Sequence, residues 1–171
     1  MERAFAEGHY HAVCRDIFGR VLWEEEFDNV VCTIGKNAVW NAALAGSSYS
    51  VTGPYMGLIS SASFSAVSAG DTQASHAGWL EAGSSNAPTF SGNRGAATFT
   101  TASGGACALA TNPTFTFTGS GTVEGAFIVF GSGAVNTVGS TAGTLLSAGT
   151  FSAAQPVVST NTLTVSYSIS M

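Results

Sequence analysis

Charge is what this sequence lacks most. Only 9% of its 171 residues are charged, against roughly 25% in ordinary globular proteins. Ten acidic residues outnumber five basic ones, which leaves a formal net charge of -5. Proteins that bind nucleic acid need clustered lysines and arginines to neutralise phosphates. The composition therefore argues against nucleic acid as a partner.

Long apolar runs, a signal-peptide pattern and paired cysteine motifs are also missing. No apolar stretch approaches the ~18 residues that a membrane-spanning helix needs. The first residues, MERAF, lack a basic start followed by an apolar core. We therefore expect synthesis in a cytoplasm and no membrane as partner. Cys14, Cys32 and Cys107 show no CxxC spacing, and we expect three reduced, mostly buried thiols.

The few charges are concentrated near the amino terminus. Seven acidic and four basic residues lie at or before Lys36, whereas only Asp71, Glu81, Arg94 and Glu124 follow it. A chain of this length forms one domain, with or without an appendage. The sequence thus predicts a charged N-terminal arm and hairpin over residues 1–32 and a nearly uncharged body over residues 33–171.

Alternation of polar and apolar residues predicts β-structure in the body. Residues 114–118 alternate strictly, and residues 122–130 are apolar on both faces, as in a strand that is buried on both sides. The Gly-Ser-Gly segment at 119–121 between them predicts a central hairpin. Residues 162–169 also alternate, and we expect that strand at a sheet edge or under a partner.

The N-terminal part adds a second hairpin and a helix. Residues 9–17 and 21–27 read as two strands around a tight turn. Residues 34–45 read as a helix with Thr33 as N-cap and Gly46 as the left-handed residue that ends it. Together with several short strands, these features predict an all-β fold: a jelly-roll-like β-sandwich with an N-terminal β-hairpin arm and one short helix.

Side chains that could carry catalysis do not assemble into a known pattern. A GxSxG elbow is lacking, as is a glycine-rich stretch before Lys-Ser or Lys-Thr. His9 and His11 share one strand face but lack a third metal ligand, because Cys14 has the wrong parity. We therefore expect no catalytic residue, no metal and no cofactor, and surface or interface histidines. A lyase on a sandwich fold remains an alternative.

The densest carboxylates are candidates for an interface with another protein. Glu24, Glu25, Glu26 and Asp28 follow one another on the predicted hairpin. Adjacent like charges keep an edge strand from pairing wrongly, and they are also able to dock on a basic partner surface. Neighbouring glutamates on an exposed hairpin do not supply the pair of carboxylates that face each other across the cleft of a glycosidase.

Arg94 is the fifth interface candidate. It is almost alone in the uncharged body, and an isolated charge in such surroundings is commonly paired. We expect a salt bridge with Glu81 or with Asp71. The alternative is that Arg94 contacts a partner subunit.

Several short motifs together resemble small virion proteins of tailed bacteriophages. They are, in chain order, PYMGLI at 54–59, GDTQASHAGWLE at 70–81, SGNR at 91–94, GAF at 125–127, GTLLSAGTF at 143–151 and LTVSY at 163–167. Members of this group resemble capsid cement (decoration) proteins, and some are tail or fibre proteins. The resemblance implies a jelly-roll-like β-domain without catalysis. It also implies synthesis in the host cytoplasm and a place on the outer surface of the virion capsid.

In the cement interpretation, the resemblance implies two partners: the phage major capsid protein and the chain itself, as a homodimer or homotrimer. Cement proteins of this kind tie neighbouring capsid subunits together where capsomers meet. The alternative is a tail fibre or receptor-binding knob that recognises a host surface glycan. Trp23, Trp40 and Trp79, with the loop at residues 131–143, would then be candidates for sugar contacts.

Overall fold

The computed structural model describes residues 6–47, 52–83 and 85–170 of the chain. These ranges form ten strands and one α-helix. In chain order they are β1 (Glu7–Arg15), β2 (Val21–Val31), α1 (Thr33–Ala43), β3 (Tyr55–Ser60), β4 (Leu80–Glu81), β5 (Gly95–Ala96), β6 (Ala106–Ala108), β7 (Thr114–Thr116), β8 (Gly121–Phe130), β9 (Thr144–Val157) and β10 (Thr162–Ser170).

The strands pair antiparallel throughout, in the order β4-β3-β8-β9-β2-β1-β10-β6, with β5 added to β3 and β7 to β10. We call β2, β1, β10, β6 and β7 the front sheet. The back sheet consists of β9, β8, β3, β4 and β5. The predicted fold class, an all-β sandwich with an N-terminal hairpin and one short helix, is confirmed.

Strand β2 joins the two sheets. Residues 21–28 pair with β1, whereas Asn29, Val30 and Val31 pair with Gly149, Ala148 and Ser147 of β9. The predicted hairpin exists, and both of its strands lie in the middle of the strand order rather than apart from the body. The N-terminal segment is therefore structurally part of the sandwich from Glu7 onward, and the first five residues of the predicted arm lie outside the described ranges.

The main core lies between the two sheets. Alternate residues of β1 point inward, so Tyr10, Ala12 and Cys14 are fully buried. The Tyr10 ring packs between those of Phe27 and Tyr167, with centroid distances of 5.0 and 4.5 Å. Burial of large aromatic side chains from facing strands is a main source of stability in a domain of this size.

A second core covers the outer side of the back sheet. It is built from Cys32, Trp79, Phe127, Val129 and other residues, over which the loops around residues 61–79 and 131–143 fold. In β8, Phe127 and Val129 face this second core, whereas Val123, Ala126, Ile128 and Phe130 face the main core. The prediction that β8 is buried on both faces is confirmed, and the two cores are the reason.

The predicted central hairpin of residues 114–130 is wrong. Strand β7 pairs with β10 in the front sheet, whereas β8 pairs with β3 and β9 in the back sheet. The amides of Thr118 and Gly119 donate to the Thr89 carbonyl, at 2.9 and 3.2 Å, as the chain crosses between sheets. The glycine-rich segment is thus a crossover, and β10 is paired on both sides rather than at an edge.

The helix is present, but its predicted N-cap is wrong. The cap residue is Cys32, which makes no side-chain cap hydrogen bond, while the Thr33 amide donates to the Ala69 carbonyl at 2.9 Å. Gly46 adopts the expected left-handed conformation with φ of +66°. Gly35 lets the helix approach β9 closely, because a Cβ there would lie 2.9 Å from Leu146 backbone atoms.

Within the described ranges, no helix is long and apolar enough to cross a bilayer.

Candidate partner-binding surface

The hairpin pairing brings three of the predicted carboxylates onto the outer face of the front sheet. Glu24, Glu26 and Asp28 occupy alternate positions of β2, so they point to the same side. Their side chains are 57%, 70% and 94% exposed. These carboxylates therefore form a row of negative charge that is directed to solvent, which we call the acidic row.

His9 and His11 of β1 lie directly beside the acidic row. In the hairpin register, His9 faces Asp28 and His11 faces Glu26. His9 Nδ1 lies 3.2 Å from an Asp28 carboxylate oxygen, and His11 Nε2 lies 2.6 Å from a Glu24 carboxylate oxygen. The expectation of surface histidines is confirmed. The sequence reasoning missed their pairing with the carboxylates, although a hairpin centred on residues 18–19 determines it.

The β7 and β10 part of this outer face is polar and uncharged, whereas β1 adds Val13 and Arg15 to the face. Strands β10 and β7 continue it with hydroxyl side chains, none of which is buried: Thr114, Thr116, Thr162, Thr164, Ser166 and Ser168. The Thr114 and Thr164 hydroxyls are hydrogen-bonded to each other at 2.9 Å. An open sheet face of small polar side chains presents little bulk and little charge that a partner would have to desolvate.

Glu25 points to the other side of β2 and is already bound within the chain. Its carboxylate accepts hydrogen bonds from Gln155 Nε2 at 2.8 Å and from the Ser152 hydroxyl at 3.2 Å. Both donors belong to β9, where the backbone pairing between β2 and β9 has ended. Glu25 therefore links the two sheets, and the structure does not place it with the acidic row.

Arg94 lies inside the protein rather than at its surface. Its side chain is fully buried and forms a bidentate salt bridge with Glu81, with N–O distances of 2.8 and 2.7 Å. The predicted salt bridge with Glu81 is confirmed. The proposed contact of Arg94 with a partner subunit is wrong, because no exposed part of the guanidinium remains to make it.

The buried pair also anchors the 131–143 loop. The Arg94 guanidinium donates to the carbonyl oxygens of Ser140 and Val135 at 2.7 and 3.2 Å. Glu81 accepts from the Gly139 amide at 2.7 Å. Asp71, the other candidate partner, instead accepts a hydrogen bond from Trp79 Nε1 at 2.9 Å. In the same segment, Thr72 and Ser75 form an isolated β-bridge.

The tryptophans differ in their surroundings. Trp79 is completely buried, and Trp23 is half-buried with its Nε1 donating to the Pro156 carbonyl at 2.9 Å. Trp40 on α1 is 50% exposed. Only Trp40 among the three therefore offers a large free ring face to a ligand.

An apolar cavity of about 370 Å³ opens at the end of the sandwich beside α1. We call it the end pocket. It lies between the helix, the last residues of β2, β8 and β10, and the loop before β6. Its large apolar side chains include Val31, Val39, Trp40, Phe99, Phe130, Leu146 and Ile169. The sequence analysis did not predict it, because its walls come from seven segments that are distant in the chain.

The buried thiols and the buried Tyr167 hydroxyl have raised pKa values. Burial raises the pKa of the Cys14 thiol to about 11 and that of Cys32 to about 12. Burial likewise raises the pKa of Tyr167 to about 12, while its hydroxyl accepts from Asn29 at 3.0 Å. Within the described ranges, no group of three or more His, Cys, Asp or Glu side chains is arranged to hold a metal ion.

Comparison with known proteins adds no assignment: no protein-family model, no curated protein and no solved structure matches this chain.

Proposed function

We propose that this chain is a non-enzymatic structural protein of a tailed-bacteriophage virion. In this proposal it is a capsid cement (decoration) protein that binds the outer surface of the major capsid shell and ties neighbouring capsomers together. Its partners are the major capsid protein and further copies of itself, as a homodimer or homotrimer. The observation that supports it best is the open outer face of the front sheet. This face combines the acidic row with the threonine and serine side chains of β7 and β10.

The chemistry of this face suits adhesion to a repetitive surface. The carboxylates of Glu24 and Glu26 steer the protein toward basic groups of a shell and set its orientation. The neighbouring threonines and serines on β7 and β10 then come into close contact at a small desolvation cost. Binding to the assembled shell only, and not to free subunits, adds stability to the shell by mass action.

Weak individual contacts suffice in such an assembly. An exposed ion pair contributes up to about 1 kcal/mol. An oligomer that engages two or three sites at once gains affinity from the effective concentration of its remaining sites. A face with few charges is therefore compatible with stable decoration of a capsid that repeats the same site many times.

The test is binding to heads that lack this protein. The double variant Glu24→Gln/Glu26→Gln removes two charges of the acidic row and leaves Asp28 in place. With up to about 1 kcal/mol lost per pair, the dissociation constant should rise by as much as ~30-fold at low salt. The difference should shrink above ~0.5 M salt, where screening removes the contribution of exposed charges.

Glu124→Gln is the matched control, since it removes a carboxylate from β8 in the back sheet. It should leave binding to heads unchanged. Equal binding of the double variant and the wild type at low salt would contradict a docking role for the acidic row. Absence of any binding of the wild-type protein to heads would rule out the cement function itself.

A second candidate function is supported by Trp40. As a tail fibre or receptor-binding knob, the protein would stack a host glycan on this half-exposed ring beside the end pocket. Screening the wild type and Trp40→Ala against host surface glycans tests this alternative. Glycan binding that is lost in Trp40→Ala would favour the tail function, and no glycan binding by the wild type would remove it.

A further inference from the structure

The turn between β1 and β2 projects an apolar knob from one end of the sandwich. Phe18 is 81% exposed and Ile17 is 67% exposed. The Arg20 guanidinium carbon lies 5.6 Å from the centre of the Phe18 ring, in a cation–π contact. With the exposed side chains of Val21 and Leu22 nearby, these residues make several exposed apolar side chains in one segment, and a contiguous apolar patch is typical of a contact site. We call residues 16–20 the hairpin tip.

The hairpin tip is an ordered structure. Asp16 Oδ1 accepts hydrogen bonds from the amides of Phe18 and Arg20 at 2.8 and 3.0 Å, and Asp16 Oδ2 lies 2.6 Å from Arg20 Nε. Arg15 adds a hydrogen bond to the Gly19 carbonyl at 3.2 Å. Because the turn is held in place before it meets a partner, binding through Phe18 costs little conformational entropy.

The end pocket lies at the opposite end of the same strands. Ala6, which precedes β1, and Ser170, which ends β10, line the pocket, whereas the hairpin tip follows the last residue of β1. A strand of nine residues places the two features on the order of 30 Å apart. One molecule therefore cannot insert its own tip into its own pocket, but one copy can fill the pocket of another.

Size and chemistry of the two features match. The end pocket, at about 370 Å³, falls within the range of about 300–1,000 Å³ of pockets that enclose a ligand. Its walls are almost entirely apolar, and Lys36 is the one charged residue among the described residues that line it. A phenylalanine ring together with the neighbouring isoleucine is an occupant of suitable size and polarity.

Charge at the two ends is complementary. Within the hairpin tip Arg20 is paired with Asp16, and the adjacent Arg15 gives this end of the hairpin one net positive charge. A shallow depression that adjoins the end pocket is lined by Glu7 and Asp28 and shares Ala106, Ile169 and Ser170 with it. Among the described residues at this end, Glu7 and Asp28 outnumber Lys36, which leaves one net negative charge. The arginines of a docked tip would thus meet carboxylates beside the apolar contact.

We propose that this protein self-associates head to tail, with the hairpin tip of one copy seated in the end pocket of the next. The occupant is a second copy of this chain, with Phe18 as the apolar anchor and Arg20 directed at Glu7 and Asp28. Because tip and pocket are different patches, the contact is heterologous and repeats until a ring closes. This deepens the self-association that is part of the proposed function, and it is measured without any capsid.

The first experiment measures the mass of the full-length protein in solution. Light scattering after size exclusion and sedimentation equilibrium, from about 1 to 100 µM, should show a closed oligomer for the wild type. Phe18→Ser should weaken the association by about 30-fold or more, as expected for a central anchor of an interface. Ala102→Trp places a bulky ring at the pocket from an exposed loop position and should have a similar effect.

Val135→Ser is the matched control, since it also replaces an exposed apolar residue by serine but lies in the 131–143 loop. It should keep the wild-type mass. Circular dichroism and thermal unfolding of each variant establish that the fold is retained. Phe18 and Ala102 are both exposed, so their replacement should change the stability by less than about 0.5 kcal/mol.

Mixing the two variants gives the sharpest test. Phe18→Ser has an intact pocket and no anchor, whereas Ala102→Trp has an intact anchor and a blocked pocket. Each is expected to be monomeric alone, and the mixture should form a 1:1 complex. A contact between two identical patches would not produce this complementation.

Other results would overturn the proposal. They are a wild-type monomer at ~100 µM, an unchanged mass of Phe18→Ser, or a mixture that stays monomeric. A monomer that becomes an oligomer only after removal of residues 1–5 would show that the chain's own amino terminus fills the pocket. A monomer that carries a co-purified apolar molecule would assign the pocket to that ligand. Capsid binding can persist in all these cases, so the two proposals fail separately.

Discussion

Replacing Arg94 by methionine should strongly destabilise the fold, because it leaves a buried charge without its partner. The Arg94 side chain is fully buried and that of Glu81 is 7% exposed. The substitution removes both hydrogen bonds of the bidentate pair and the two that hold the carbonyl oxygens of Ser140 and Val135. The Glu81 carboxylate would retain only the Gly139 amide as a donor.

The expected cost can be stated from the burial of the pair. Removing one partner of a buried salt bridge costs about 3–5 kcal/mol, since the other charge stays desolvated and uncompensated. In a domain of this length, 1 kcal/mol corresponds to roughly 2–4 °C in Tm, so Arg94→Met should lower the Tm by about 6–20 °C. The 131–143 loop should lose its order first, since the lost hydrogen bonds attach it to the back sheet.

Urea denaturation monitored by tryptophan fluorescence is a suitable assay, because Trp79 lies in the second core next to this site. The double variant Glu81→Leu/Arg94→Met serves as control. It removes both charges and should be more stable than Arg94→Met alone. Arg94→Lys should be intermediate, because an ammonium group cannot reproduce the two-pronged contact. A loss below about 1 kcal/mol in Arg94→Met would refute this account of the buried pair.

Two further predictions concern the strands and the thiols. Gly125→Ala should destabilise the fold by about 1–3 kcal/mol in the same assay, because a methyl group there would overlap the facing β9 backbone; Gly70→Ala, at an open position, is the control. Cys14 and Cys32 should resist a thiol reagent at pH 8 in the folded protein and react once it is denatured. Because burial raises the pKa of both thiols, the folded chain holds protons that the unfolded chain releases. The free energy of unfolding should therefore be unaffected by these thiols below about pH 9 and fall as the pH rises toward 12.

Much of the fold could be predicted from local patterns. The alternation in residues 162–169 and the tight turn near residues 18–19 are confirmed as β10 and the β1–β2 hairpin. The apolar character of β8 on both faces is confirmed by the two cores. These patterns are reliable because side chains of a strand alternate between faces whatever the partner strand is.

The candidate surface was predicted only in part. Clustering in the sequence selected Glu24, Glu25, Glu26 and Asp28, and the structure places three of them on one exposed face of β2. Neighbouring positions of a strand face opposite sides, so Glu25 points inward to β9 instead. Isolation of Arg94 in an uncharged body pointed to a salt bridge, which is confirmed. The same isolation could not exclude a surface contact, because burial depends on segments that the chain folds over Arg94 from residues 131–143.

The sequence by itself determined which side chains share a strand face, where the chain turns and where charge is concentrated. Only the tertiary structure decided that β7 and β8 belong to different sheets, that the two histidines meet the acidic row, and that an apolar pocket opens at one end while Phe18 projects from the other. The physical reason is the separation along the chain over which each effect acts. Alternation and turn preference act over a few residues, whereas strand partners and cavities depend on hydrogen bonds and packing between segments that lie far apart in the chain.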